Sequence, residues 1–484
     1  MYRQIHMGIF SSRDIVHRGR GQKETVMTLL EGAPGAGATR RGAVWVVVWL
    51  CLAVTIMDGL DLSMYGTVVP SLLKSREWGL DAGPVGLIGS LSLLGMLIGA
   101  AVAGGIADIV GRRPVILTCV ASFAVFTGLC AVAPSAVAFG ALRFLAGLGL
   151  GGALPGTIAL VQDYVRPDRR QFFNGVSQLG FPIGGVVGAL VAIGLIPALG
   201  WRSIFALGGL LGLVLFPVVF FLLPESVGYL ARRGRTTEAN ALAAWYGVQD
   251  VPTATIATDE MRPSRTEAIR QLFQPGFRLA SLLFPIISSF ALFIFFGLAT
   301  YLPQILVSNG YGFAAGMTFL VAFYLGEVVG GLGLTALAER FGSRTVIGST
   351  FFAGAVALIC LVLHLPTVVV IVLVFLVGIF SMPQTLVSGF VGIYYPGGAR
   401  GSALSLDIGI GRVGGMVGPI IVGAVIGAGF AETAVFGLFA IVSVVAVPLV
   451  SLVPRTGVSD RRPRASTTRS KAVAADAQTP QDAG

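Results

Sequence analysis

GGIADIVGRR at residues 104–113 returns as ALAERFGSR at residues 336–344, with Glu339, Gly342 and Arg344 each 231 residues after Asp108, Gly111 and Arg113. Gly180 and Gly184 recur at the same offset as Gly411 and Gly415. One offset held across a polar loop and an apolar stretch signals duplication of a whole half-chain. Chance matches glycines in a chain that holds 67 of them, but it does poorly with an acid, a glycine and an arginine in register. Duplicated halves are the architecture in which a solute site forms between two rocking bodies.

The composition is that of a polytopic membrane protein, 55% hydrophobic and 12% charged, where a soluble domain carries about 25% charge. Cutting the apolar stretches at Pro, Gly and charge clusters gives twelve segments near the ~20 residues that span a hydrocarbon core. They run about 43–69, 82–107, 114–133, 136–161, 171–196, 201–223, 279–303, 313–337, 345–364, 367–391, 401–428 and 431–453. Of the 33 Lys and Arg, 28 fall in the N-terminal arm, the even-numbered loops or the tail, and only Lys74, Arg76 and Arg202 in the opposite loops. The positive-inside rule therefore puts both termini in the cytoplasm and the protein in the cell membrane. The net charge of +10 is accounted for by this topology and gives no reason to invoke nucleic acid.

The expected organisation is an arm (1–42), a six-helix half (43–223), a central cytoplasmic loop (224–278), a second six-helix half (279–453) and a disordered tail (454–484). The central loop carries LARRGRTTEANALAAWYG and TEAIRQLF, which read as short surface helices. No removable signal peptide is visible, and Met7 or Met27 could serve as a start in place of Met1. Cys51, Cys119, Cys130 and Cys360 lie in apolar segments and read as small core residues. Three histidines without clustered ligands argue against a metal site, and no cofactor is expected.

Asp58 and Asp61 are the only charged residues between Arg41 and Lys74 and share one face of the first segment at i, i+3 spacing. A carboxylate at that depth costs roughly 2.5–3.5 kcal/mol on insertion scales, so it persists where it pairs, faces the protein interior or carries a proton. The pair points to proton-coupled movement of a solute. The bland alternative is that the two acids cap a break at Gly59 or bond neighbouring helices.

At this point the chain resembles the major facilitator superfamily over about residues 43–453. Gly104 to Arg113 is similar to that family's signature between helices two and three, which implies gating ion pairs at Asp108, Arg112 and Arg113, and by the repeat at Glu339 and Arg344. Arg143 to Gly151 resembles the arginine and glycine motif of helix four, and Pro224-Glu225-Ser226 the end of helix six. Within the superfamily the likeness is to the aromatic acid:proton symporters, through Asp58-Gly-Leu-Asp61 and through Tyr395-Pro396, Arg400 and Gly409-Ile-Gly-Arg412-Val-Gly414. The resemblance implies proton coupling at Asp58 and Asp61, and substrate or coupling roles at Arg143 and Arg412. Ile109, where that family usually has a basic residue, and the acids Glu327 and Asp407 depart from its pattern. Gly409 to Gly414 also satisfies a dinucleotide-binding GxGxxG, but that fingerprint needs a preceding strand in a soluble unit.

At 1.5 Å per residue, Asp58 lies roughly 22 Å from the start of helix one and Arg143 roughly 10 Å from the start of helix four, at similar depth. Arg412 falls roughly 16 Å into helix eleven, near the midplane, where its guanidinium could hold a carboxylate through two parallel hydrogen bonds. Alternatively Arg412 pairs permanently with Asp407 or Glu327, and Arg143 is a structural tie. Phe293 and Tyr301, with their aromatic neighbours in helix seven, could stack on a substrate ring or simply pack.

The expected function is a monomeric transporter, not an enzyme, that imports an aromatic monocarboxylate with protons by alternating access. An antiporter or sugar-type porter of the same fold, or a non-transporting sensor, is the alternative. A sensor should carry a sizeable soluble output domain, and the longest non-membrane stretch between helices is the 54 residues from Pro224 to Phe277.

Overall fold

The structure, a computed structural model, describes residues 39–75, 77–166, 169–246, 265–363, 365–381 and 383–454. The arm up to residue 38 and the tail from 455 lie outside the described residues, and with them what was expected of both.

Among the described residues, twelve helices are long and apolar enough to cross a membrane. They are α1 Val44–Ser75, α2 Ala82–Val110, α3 Arg112–Cys130, α4 Ala136–Tyr164, α5 Phe172–Leu199 and α6 Arg202–Leu222 in the first half. In the second half they are α7 Arg278–Ser308, α8 Phe313–Phe341, α9 Ser343–Cys360, α10 Thr367–Tyr394, α11 Gly398–Gly427 and α12 Ala434–Leu452. Each expected segment is there, and the fold class is all-α. The largest difference in bounds is α1, which runs through Pro70 to Ser75 rather than stopping near 69. The segment between α6 and α7 carries short helices at Val227–Arg232, Thr236–Tyr246 and Arg265–Leu272.

Two breaks depend on glycine. Gly111 between α2 and α3 has φ 112°, and Gly342 between α8 and α9 has φ 87°. Only a residue without Cβ enters that region cheaply, which is why the repeated loop motif keeps its glycine.

The duplication is physical. Both ends of α8 lie 231 residues after those of α2. In the first half α1 packs on α5, α2 on α4, and α3 on α4 and α6; in the second α7 packs on α11, α8 on α10, and α9 on α10 and α12. The closest approaches repeat residue for residue. A Cβ built on Gly147 would lie 2.1 Å from the Ser92 carbonyl oxygen, and one on Gly378, its repeat mate, 2.0 Å from that of Phe323, the mate of Ser92. Gly95 against Phe144 and Gly326 against Phe375 are a second such pair, at 2.2 and 2.1 Å. Small residues let helix backbones touch, which drives association where water gives no help.

The halves meet along α2–α11, α5–α8 and α1–α7. At the end of the bundle away from the start of α1 these seams are closed. The Tyr301 hydroxyl donates to the Ala82 carbonyl at 2.5 Å, the Ser90 hydroxyl to that of Met416 at 2.7 Å, and the Tyr324 ring covers Gly185. Toward the other end a Cβ on Gly104 of α2, Gly175 of α5, Gly333 of α8 or on Gly401 and Gly409 of α11 would meet nothing within 4 Å. The bundle is therefore sealed from mid-depth to one face and splayed toward the face where α1 begins and α12 ends.

Gly147→Val and Gly378→Val should each destabilise the detergent-purified protein by about 1–3 kcal/mol or more through overpacking, read as a lower unfolding temperature. Gly104→Ala, at the open mouth, should stay within about 0.5 kcal/mol of the parent. Equal stability of all three variants would contradict the packing described.

Candidate functional site

A small cavity lies at the base of the sealed region. It is lined by Asp58, Asp61, Leu62 and Tyr65 of α1, Gly89, Ser92, Leu93 and Met96 of α2, Arg143 of α4, Phe181 of α5, and Phe296 and Thr300 of α7. Both halves contribute, so rocking them changes its walls.

Arg143 and Asp61 form a buried ion pair, Nη1 to Oδ1 at 2.5 Å, with side chains 1% and 3% exposed. The guanidinium carbon lies 5.0 Å from the Tyr65 ring centroid and 5.7 Å from that of Phe205. Phe205 belongs to an aromatic cluster with Phe139, Trp201 and Trp78 within the first half. Arg143 thus ties α1, α4 and α6 together. The depth count put Arg143 level with Asp58; the partner is Asp61. Because α1 is longer than the membrane is thick, its early residues lie outside the hydrocarbon, and the level of Arg143 is reached one turn later.

Asp58 has neither carboxylate oxygen hydrogen-bonded, and the residue is 3% exposed. The charges that act on it are Arg412, across the α1–α11 divide, and Asp61. Half-buried Arg412 donates from Nη1 to the Met96 carbonyl at 3.3 Å and, among the described residues, makes no ion pair. It does not pair with Asp407, which accepts from Ser288 at 2.6 Å and Ser388 at 3.1 Å and so joins α7, α10 and α11. Nor does it pair with Glu327, which is 3% exposed with Oε2 unpartnered.

Neither Phe293 nor Tyr301 lines the cavity. Phe293 packs edge-on against Phe439 at 5.6 Å, and Tyr301 is committed to the Ala82 carbonyl. The aromatic walls are instead Tyr65, Phe181 and Phe296. Tyr65 could have been found, since it stands four residues after Asp61 on the same helical face. Phe181 and Phe296 carry no signal that separates them from packing aromatics.

The loop residues are arranged otherwise than expected. Asp108 is 74% exposed and 3.7 Å from Arg232, itself 54% exposed, a contact of the exposed kind worth roughly 0–1 kcal/mol. The carboxylates that bind the loop are Asp163 and Glu225. Arg112 donates to Asp163 at 2.7 Å, and the backbone N–H groups of Arg112 and Arg113 donate to Glu225 at 2.9 and 3.2 Å, at the N-terminus of α3. The Ser226 hydroxyl also donates to Asp163. Glu225 stood in a quoted motif, whereas nothing in the sequence marked Asp163. Glu339 and Arg344 make no ion pair among the described residues, and the Arg112–Asp163 pair has no counterpart in the second half, where the mates of its two members are Ser343 and Tyr394.

Residues 51–326 and 313–478 match the Major Facilitator Superfamily. The chain belongs to that superfamily. It is 30% identical to the benzoate transport protein of Acinetobacter baylyi over 388 residues, 78% of this chain and 83% of that one. It is 31% identical to the gentisate transporter of Corynebacterium glutamicum (86% and 89% covered) and to a 4-hydroxybenzoate transporter of Pseudomonas aeruginosa (80% and 87%). Among solved structures, the inward open conformation of the Escherichia coli xylose transporter superposes with TM-score 0.68 at 16% identity, covering 85% of this chain and 96% of that one. That likeness bears on the fold alone. This major facilitator protein is a multi-pass membrane transporter of a small organic substrate, not an enzyme.

Asp61→Asn should leave Arg143 buried without its partner, at a cost of about 3–5 kcal/mol. The double variant Asp61→Asn, Arg143→Gln should recover part of that loss in thermal unfolding. Additive losses would show that the two side chains do not act as a pair.

Proposed function

We propose that this protein imports an aromatic monocarboxylate together with protons by alternating access, as a monomer in the cell membrane with both termini cytoplasmic. In that orientation the open mouth faces the cytoplasm. The observation that carries the reading is the unbonded, buried Asp58 carboxyl in one half, acted on by Arg412 in the other.

The chemistry follows from competition for one cation. A substrate carboxylate coming from the mouth takes Arg412, which does not line the cavity but borders it at the Met96 carbonyl and whose forked donors match a carboxylate. Asp58 then has no counter-charge, and an isolated buried carboxylate is too costly to keep, so it takes a proton. Substrate and proton enter together, and the neutralised site lets the halves rock. When the acid leaves, the charge of Arg412 bears on Asp58 again and the proton departs. Arg143 and Asp61 hold α1 in place and set the second charge near Asp58. The rings of Phe181 and Phe296, one from each half, offer apolar faces to a flat ring, which suits benzoate or a hydroxybenzoate. The curated relatives transport benzoate, gentisate and 4-hydroxybenzoate, which supports this class.

Asp58→Asn removes the proton site and keeps its shape. In proteoliposomes it should abolish accumulation of labelled benzoate or 4-hydroxybenzoate driven by a pH gradient while leaving counterflow exchange. Full accumulation in this variant would sink the coupling assignment.

Arg412→Ala should weaken binding of the acid by about 1.5–3 kcal/mol, roughly ten- to hundredfold, and Arg412→Lys should recover only part because it lacks the fork. Benzamide, which lacks the anion, should bind poorly to the parent and lose little more in the variant. Equal losses for acid and amide would mean that Arg412 holds structure and does not recognise substrate.

A further inference from the structure

Glu327 has no task in the cycle above, yet it is an acid placed halfway along α8. It is 3% exposed, its Oε2 has no hydrogen-bond partner, and the hydroxyl of Tyr324, one turn away on the same helix, is likewise unpartnered. The helices packed on α8 are α5, α7, α9 and α10. Their ionisable groups are Arg278, Tyr301, Arg344, Cys360 and Tyr394, all at or near helix ends and away from this depth, and α5 has none. The other charges on α8 itself, Glu339 and Arg340, stand three turns further on at the mouth. Among the described residues no cation faces Glu327, so nothing among them stabilises an ionised carboxylate, and burial without a partner favours the neutral acid.

The repeat says where this acid stands. The mate of Glu327 is Met96, which lines the cavity and whose carbonyl receives Arg412 across the α2–α11 seam. The mate of Arg412 is Phe181 on α5. The register holds in space. Tyr324 covers Gly185 on the α5–α8 seam, and of their mates Leu93 and Met416 the second packs against the apolar cluster that holds the first, on the α2–α11 seam. Glu327 therefore occupies, on the second seam, the place that Met96 occupies on the first, one turn below the Tyr324–Gly185 closure. The open mouth begins just beyond it, at Gly333.

We propose that Glu327 is a second proton-carrying site, in the C-terminal half, whose access alternates as the α5–α8 seam opens and closes. The carboxyl binds a proton when the seam parts beside Tyr324 and faces the outer side. It stays neutral while the seam is shut, and it releases the proton through the mouth below when water reaches it there. One O–H bond forms and one breaks per cycle, with water as donor and acceptor. This rests on the proton-coupled reading above and adds a proton to it.

Two measurements on the purified full-length protein test the proposal. Infrared difference spectra over a pH titration should show the C=O stretch of a protonated, poorly hydrated carboxyl, shifted on deuteration, that is missing in Glu327→Gln. In proteoliposomes with labelled benzoate and 4-hydroxybenzoate, reversal potentials should give a proton-to-substrate ratio lower by about one in Glu327→Gln, with counterflow retained and Glu327→Asp at the parental ratio. The proposal is overturned if the carboxyl band is the same in parent and Glu327→Gln, or if Glu327→Gln keeps the parental ratio. If the parent moves neither acid by counterflow or uptake, the aromatic-acid reading fails, and the infrared arm alone then decides whether Glu327 takes up and releases a proton.

Discussion

A charge inside a membrane helix must be paired, neutralised or wetted, and the interior of this transporter is ordered by that requirement. Asp61 is paired outright with Arg143, between two aromatic rings. Asp407 is held by two serine hydroxyls that lace three helices. Asp58 has only a cation in the opposite half to answer it. These solutions differ in how much they yield. The first two lie within one half and survive any rigid motion of it; the third spans the divide and is remade whenever the halves move or an anion arrives.

Rigid halves make that difference useful. Within each half the backbones approach so closely at Gly95, Gly147, Gly326 and Gly378 that no side chain separates them, and such packing does not deform gradually. The seams combine single hydroxyl donors such as Tyr301 and Ser90 with backbone approaches at Gly66 and Gly86, and it is along them that the halves can part. The loop cluster of Arg112, Asp163 and Glu225 lies in the first half and the segment that directly follows it. It fastens α3, α4 and the segment after α6 into one body, and does not bridge the two halves.

The sequence made the fold legible because hydrophobic length and the 231-residue repeat are both direct consequences of how a duplicated bundle fills a bilayer. That Asp58, Asp61 and Arg412 stand in helix interiors was legible for the same reason. Partners were not. Counting rise along α1 from Ala43 missed the overhang that puts Asp61 opposite Arg143, and one turn is the whole difference between an ion pair and an orphan. Aromatic side chains were least legible. Phe293 packs outward on Phe439 whereas Phe296, three residues on, lines the cavity, and helix rotation about its axis decides between them. Asp163 lay beyond reach because it recognises a loop 51 residues earlier.

The repeat also shows where chemistry enters a symmetric frame. Asp58 has Ser289 as its mate, Asp61 has Leu292, Arg143 has Val374, Arg412 has Phe181, Asp407 has Val176 and Glu327 has Met96. Among the described residues no buried charge is duplicated. A charge on both sides of the pseudo-axis would set like beside like near the midplane, where little solvent screens the repulsion. The glycines that shape the halves tolerate duplication because packing has no sign. The charges do not, so a frame built by copying acquires its directional chemistry only where the copies have diverged.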